Sequence, residues 1–167
     1  FTQQEDPRQL QAVFDTSAGQ FVLEFYPEQA PNHVAKFLDL ARKGFYSGTT
    51  FHSMVAHGIV QAGDPETKSP QARAKYGSGG FNLGLKPEIS NLPFNQGTVV
   101  ATVLPGEANS AGSQFFICVT DQAQFTGQFT AFGRVVEGIE VVDKISVTPV
   151  DDKQIAKDRI EIRDVAI

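Results

Sequence analysis

Three histidines, one cysteine and one serine-bearing glycine turn are the first places to look for chemistry in this chain. His33, His52 and His57 do not have the spacing of a metal motif, and Cys118 has no second cysteine to assist it. His33 reads as a solvated helix residue, His52 as a strand residue that packs or bonds to backbone, and His57, beside Gly58, as a turn residue. In "NSAGSQ" (109–114) a serine stands between Gly112 and Gln114. This is not the G-x-S-x-G elbow and no helix follows, which argues against a serine hydrolase. "GSGG" (77–80) lacks the Lys-Ser/Thr pair of a phosphate loop and reads as flexible backbone, and Asp151-Asp152 reads as a solvated turn. The stretch "TTFHSMVAHGIVQAGDP" (49–65) is different. It reads as strand, tight bend, strand, with a short hydroxyl at Ser53 where a larger polar group would make sense. At Gly58 it leaves bare backbone where an apolar wall is expected.

The elements that must carry these residues are mostly strands. "LQAVFDTSAGQFVLEFY" gives two strands joined at Ser17-Ala18-Gly19, with Phe21, Leu23 and Phe25 alternating against Val22, Glu24 and Tyr26. "APNHVAKFLDLARKG" is a helix: Pro31 suits its first turn, Val34, Phe37, Leu38 and Ala41 share a face, and Gly44 stops it. Roughly Asp64 to Glu88 is a long polar loop of the kind that is often functional or mobile. "GTVVATVL", "SQFFICV" and "FTAFGRVV" are short apolar strands, "GIEVVDKI" is a second helix with Ile139, Val142 and Ile145 on one side, and "RIEIRDVAI" is a closing strand. Many short strands with few helices point to an antiparallel barrel or sandwich.

Composition bounds the function. The 167 residues suit one domain with one core. A net charge of −5 and pI near 5.1 argue against a nucleic-acid backbone or an anionic membrane surface as partner. Fourteen Phe and no Trp mean a core built on phenylalanine. No apolar run approaches a membrane span. A single cysteine leaves the redox compartment open. The chain opens on Phe1, which points to a removed leader or upstream segment and permits export, so bacterial cytoplasm and periplasm both stay open as locations.

Four segments, "FYSGTTFH" (45–52), "QAGDP" (61–65), "GSQFFICV" (112–119) and "FGRVVEGIEVVDKI" (132–145), resemble a cyclophilin, a peptidyl-prolyl cis-trans isomerase. Order and spacing match from about Val13 to Ile167, and "NSAGSQFFICVTDQ" is closest to bacterial members. The resemblance implies one domain over 1–167, with 1–10 as an N-terminal extension and a core from about 11. The implied fold is mainly β: a closed eight-stranded antiparallel β-barrel capped by two α-helices, with its site in a groove on the outer wall. It implies a monomer acting on proline-containing peptides or unfolded proteins, with no metal and no organic cofactor.

The reaction explains what such a groove needs. An X-Pro bond prefers trans by only about 0.5–1 kcal/mol, yet amide resonance sets a barrier of about 18–20 kcal/mol. No nucleophile is required. The site must seat the proline ring, hold the peptide carbonyls and favour the twisted amide, whose nitrogen regains its lone pair. A donor at that nitrogen bonds the transition state and not the planar ground state.

In the resembled family an arginine after "FH" supplies that donor; here it is Ser53. The family's pocket phenylalanine falls at Gly58 and its methionine at Ile59, while the peptide-holding glutamine is kept as Gln61. Ala101 is kept, and the asparagine that grips the substrate backbone becomes Thr102. Gln114 and Phe116 match. Gln124 replaces a tryptophan-type group, Phe125 keeps its apolar character, and Phe129 replaces histidine or tyrosine. His52 belongs at the groove's edge. Losing a charge-assisted hydrogen bond costs about 1.5–3 kcal/mol, or roughly ten- to two-hundred-fold in rate. Arg73, Lys75 and His57 are the residues from which a replacement donor would come. Three readings follow: a prolyl isomerase of reduced activity, a cyclophilin-fold module that binds proline peptides with negligible turnover, and a barrel carrier for a small apolar ligand. The last is disfavoured because a barrel of this size fills with its own side chains.

Overall fold

The computed structural model describes residues 6–167. Residues 1–5 of the expected N-terminal extension, Phe1 among them, lie outside the described residues. The described chain starts with a single 3-10 turn at Pro7–Gln9.

Eight strands form one antiparallel sheet: β1 (Gln11–Thr16), β2 (Gly19–Phe25), β3 (Ser53–Val55), β4 (Ile59–Ala62), β5 (Thr98–Ala101), β6 (Phe115–Cys118), β7 (Ala131–Glu137) and β8 (Ile162–Ala166). Their order across the sheet is β3-β4-β6-β5-β7-β2-β1-β8. Register breaks at Asp15/Thr16, Val22/Leu23 and Val99/Val100 accompany the curl of the sheet into a half-barrel. Two isolated bridges, Thr50–Glu161 and Ser53–Ile155, link the approach to β3 with the approach to β8.

Helix α1 (Pro31–Arg42) buries Val34, Phe37, Leu38 and Ala41, the face read from the sequence, and ends before Gly44 at φ +74°. Helix α2 (Ile139–Ser146) buries Val142 and Ile145. The concave side of the sheet is filled by phenylalanine. Phe14 and Phe21 stack with ring centroids 4.8 Å apart, and Phe37 packs against Phe14, Phe25, Tyr46, Phe115 and Phe132. Phe51, Phe115 and Phe132 are buried, as the alternation requires. Each such ring contributes about 1.5–3 kcal/mol of burial.

One expectation needs correction. His33 is not a solvated helix residue: it is 3% exposed, and its Nδ1 lies 2.6 Å from Glu88 Oε1. The same carboxylate accepts the backbone N–H groups of Asn32 and His33. Ala30 at the N-cap offers no side-chain oxygen, so Glu88 caps α1 from a distant loop. Burial would raise the Glu88 pKa; the His33 ring and the two amides outweigh it and lower the pKa below its ordinary value.

Candidate active site

Register builds the site on the convex side of the sheet. Ser53 pairs with Gln61, Gln61 with Phe116, and Phe116 with Val100, so four neighbouring strands place these side chains in one row on one face. Phe115 and Ile117 point the other way, into the core. Strand alternation thus separates two apolar clusters. The second, outer cluster holds Phe94, Val100, Phe116, Cys118 and Ala131, with Ile59, Leu92, Phe125 and Phe129 packed against it at half-burial.

Phe116, Phe125 and Phe129 meet edge to face, with centroids 5.6 to 6.1 Å apart. A small 3-10 turn, Ala123–Phe125, brings Phe125 to this cluster. Beside it Gln61 Nε2 donates to Gln114 Oε1 at 2.8 Å, and Gln114 Nε2 donates to the Gly79 carbonyl at 2.8 Å. Gln114 is buried, and Gln61 is half-exposed with its own carbonyl oxygen free to accept. Thr102 donates its backbone N–H to the Gln114 carbonyl, and its buried hydroxyl has no hydrogen-bond partner. The edge of this face therefore offers the Gln61 amide next to an aromatic floor.

Two glycines hold the glutamine pair in place. At Gly63 (φ +96°) a Cβ would overlap the Ser113 carbonyl, and at Gly112 it would overlap that of Gly80. Without side chains there, the "GSGG" loop lies flat against 110–114 and delivers the Gly79 carbonyl to Gln114. The serine of "NSAGSQ" is a strut: Ser113 Oγ donates to the Gly63 carbonyl at 2.6 Å. Sequence reading missed the Gly79 carbonyl, because a backbone acceptor leaves no side-chain signature.

The other sequence-derived residues divide. Ala101 lies in the main core on the concave side of the sheet and, with Phe129 and His33, lines a cavity of about 40 Å3 beside the aromatic cluster. Gln124 is exposed and donates to Gln122 Oε1, while Gln122 Nε2 approaches the Gly58 carbonyl at 3.5 Å, so the rim is polar here. At Gly58 a Cβ would stand 3.1 Å from Val55 Cγ1, 3.2 Å from Val55 Cβ and 3.3 Å from the Val55 carbonyl. Val55 thus occupies part of the space that a larger residue at 58 would claim. His52 turns away from the row. It is 1% exposed and forms part of the wall of a separate cavity with Arg73 and Tyr76. Burial holds its pKa down at about 4, against the opposing pull of the Asp64 carboxylate and the Thr50 backbone.

Of the residues from which a replacement donor would come, Arg73 is held by the Ala156 carbonyl at 2.5 Å and by Asp151 at 3.1 Å. His57, at φ +55° in the β3–β4 turn, pairs with Asp143 at 2.9 Å. Lys75 sits at the end of an exposed 3-10 segment, Pro70–Lys75.

The family model described as "Cyclophilin type peptidyl-prolyl cis-trans isomerase/CLD" matches residues 12–167. The chain belongs to the cyclophilin family. Among curated relatives, a peptidyl-prolyl cis-trans isomerase of Arabidopsis thaliana is 32% identical over 142 residues, 85% of this chain and 84% of its own. The mouse peptidyl-prolyl cis-trans isomerase-like 1 is 35% identical over 150 residues, covering 86% and 87%. A cyclophilin-type isomerase of Cryptosporidium parvum, crystallised in the presence of the dipeptide Ala-Pro, superposes with a TM-score of 0.84 at 28% identity, covering 95% of this chain and 98% of that one. A cyclophilin from Hirschia baltica shares the fold at 20% identity with a TM-score of 0.74, covering 96% and 74%. The curled antiparallel sheet with its two helices is thus the cyclophilin fold, and cyclophilins are prolyl isomerases.

Proposed function

We propose that this cyclophilin rotates X-Pro bonds on the convex row Ser53–Gln61–Phe116, at reduced efficiency, because position 53 carries a hydroxyl where the family carries an arginine. The proline ring seats on Phe116, Phe125, Phe129 and Ile59. Gln61, braced through Gln114 to Gly79, holds the peptide backbone, with Thr102 beside it in place of the family's asparagine. Catalysis then rests on positioning and on distortion of the amide, with the charge-assisted bond to the imide nitrogen missing. Clients are proline-containing peptides or unfolded chains, handled by one copy of a domain taken to run over about 11–167. The two isolated bridges at Thr50 and Ser53 are taken as the seam that closes the barrel.

The observation that carries this reading is the four-strand register, which aligns Ser53 with Gln61 and the aromatic cluster. A second reading, a binding module without turnover, draws on the same Ser53 and on the engagement of Arg73 and His57 elsewhere. NMR exchange spectroscopy on an Ala-Pro-containing peptide separates the two. Line broadening between cis and trans peptide signals at substoichiometric protein supports isomerisation; peptide binding without exchange supports the module.

A further inference from the structure

On the side of the Ser53 strand away from the aromatic row lies a cavity of about 200 Å3, lined by Thr50, His52, Pro70, Arg73, Tyr76 and the segment 156–159. Three cations reach it, Arg73, Lys157 and Arg159, in a chain whose net charge is −5. Two of them are fixed in place. Arg73 is held by the Ala156 carbonyl and Asp151, and Arg159 by the Thr67 carbonyl at 2.9 Å and the Tyr76 hydroxyl at 3.2 Å. A guanidinium has five N–H donors, so each retains unused ones. The Lys157 ammonium has no ion-pair or side-chain hydrogen-bond partner among the described residues. Asp158 in the lining, the Arg73-bound Asp151 and the buried Asp64 carboxylate that acts on His52 balance the three cations, so what the cavity offers is unused donors rather than net charge.

The second observation is independent of charge. His52 is 1% exposed, yet neither ring nitrogen makes a hydrogen bond of good geometry; the Thr50 backbone acts on the ring only as a poorly aligned neighbour. Buried polar groups without partners are rare, and each one calls for a reason. A neutral imidazole in this wall has one N–H to give.

We infer that this cavity binds the phosphoryl group of a phosphate monoester, with Arg73, Arg159 and Lys157 around its oxygens and His52 donating from the wall. A planar guanidinium matches phosphate geometry, and fixing two of them beforehand lowers the ordering cost of binding. The site is separate from the proline groove and does not depend on turnover there. Its ligand has two sources, a small free phosphate or a phosphorylated side chain on a client.

The test is a 1H–15N titration of the full chain with inorganic phosphate at constant ionic strength, with chloride as the control, beside Lys157→Ala and Lys157→Glu. Lys157 is exposed and unpaired, so both variants retain the fold. Saturable shifts confined to Thr50, His52, Arg73, Tyr76 and 156–159, weakened about tenfold by Lys157→Ala and abolished by Lys157→Glu, support the inference. In a second arm, a phosphoserine peptide without proline that binds more tightly than inorganic phosphate assigns the ligand to phosphorylated clients; inorganic phosphate binding with the peptide excluded assigns it to a free metabolite. No saturable shift with either probe, shifts spread over all basic residues, or unchanged binding in Lys157→Glu would overturn it.

Discussion

Ser53 lies directly opposite Gln61 in the β3–β4 ladder, on the same face. Gln61 is in turn the neighbour of Phe116 one strand further on. Directly opposed side chains have Cβ atoms about 4.5–5.5 Å apart, so any donor carried at 53 would pass beside the Gln61 amide. The proposed reaction would use a longer donor at 53 than the serine hydroxyl supplies.

Gln61→Ala removes the exposed half of the glutamine pair and leaves Gln114 Oε1 buried without its donor. The expected outcome is a loss of about tenfold in kcat/KM, with a small rise in unfolding sensitivity. Parallel isomerisation kinetics and denaturant titrations check it.

Filling the gap at 58 should cost stability before it helps turnover. A Cβ there meets Val55 at 3.1 Å, so Gly58→Phe is expected to destabilise by about 1–3 kcal/mol through crowding. Adding Val55→Ala should recover only part of that loss, because the Val55 Cβ and carbonyl stay at 3.2 and 3.3 Å. Equal stability of Gly58→Phe and wild type in thermal melts would contradict the packing described.

His52 predicts an acid-side weakness. Its folded pKa is about 4, below the roughly 6.5 of an unfolded histidine. Above that upper value both states are neutral and nothing changes. As pH falls through the window, the unfolded chain takes up the proton first, and stability drops by up to about 1.4 kcal/mol per unit. Melting temperatures between pH 7.5 and 4.5 should fall more steeply for wild type than for His52→Gln.

Glu88 predicts a second, more acidic loss. Its pKa is lowered in the folded state, so its contribution is present above the ordinary glutamate pKa and disappears as pH falls through the lowered one. Glu88→Ala uncaps α1 and strips the His33 ring of its partner. A loss of about 2 kcal/mol, or roughly 4–8 °C in Tm, is expected at neutral pH.

The strands of the half-barrel and both helices were readable because their signals are local. Phe21, Leu23 and Phe25 alternate within one strand, and Val34, Phe37 and Ala41 recur at helical spacing between Pro31 and Gly44. The row Ser53–Gln61–Phe116 was reachable only through the family resemblance, since register joins residues more than fifty positions apart. His33 was misread for the same reason. It flanks the apolar face of α1, and its burial depends on Glu88, which nothing in the helix announces. The family resemblance and strand alternation together put His52 at the groove's edge. Phe51 and Met54 both enter the core, so the alternation breaks between them and His52 turns to the other cavity.

If Ser53 leaves the isomerase without its transition-state donor, steady-state isomerisation of one proline peptide by wild type and Ser53→Arg, with peptide affinity measured alongside, will show it. Wild type should accelerate the reaction weakly but measurably, and Ser53→Arg should gain at least about tenfold in kcat/KM with a much smaller change in binding of the planar ground state. Brisk turnover by wild type that is crippled by Arg73→Ala and unimproved by Ser53→Arg would show instead that Arg73 supplies the donor.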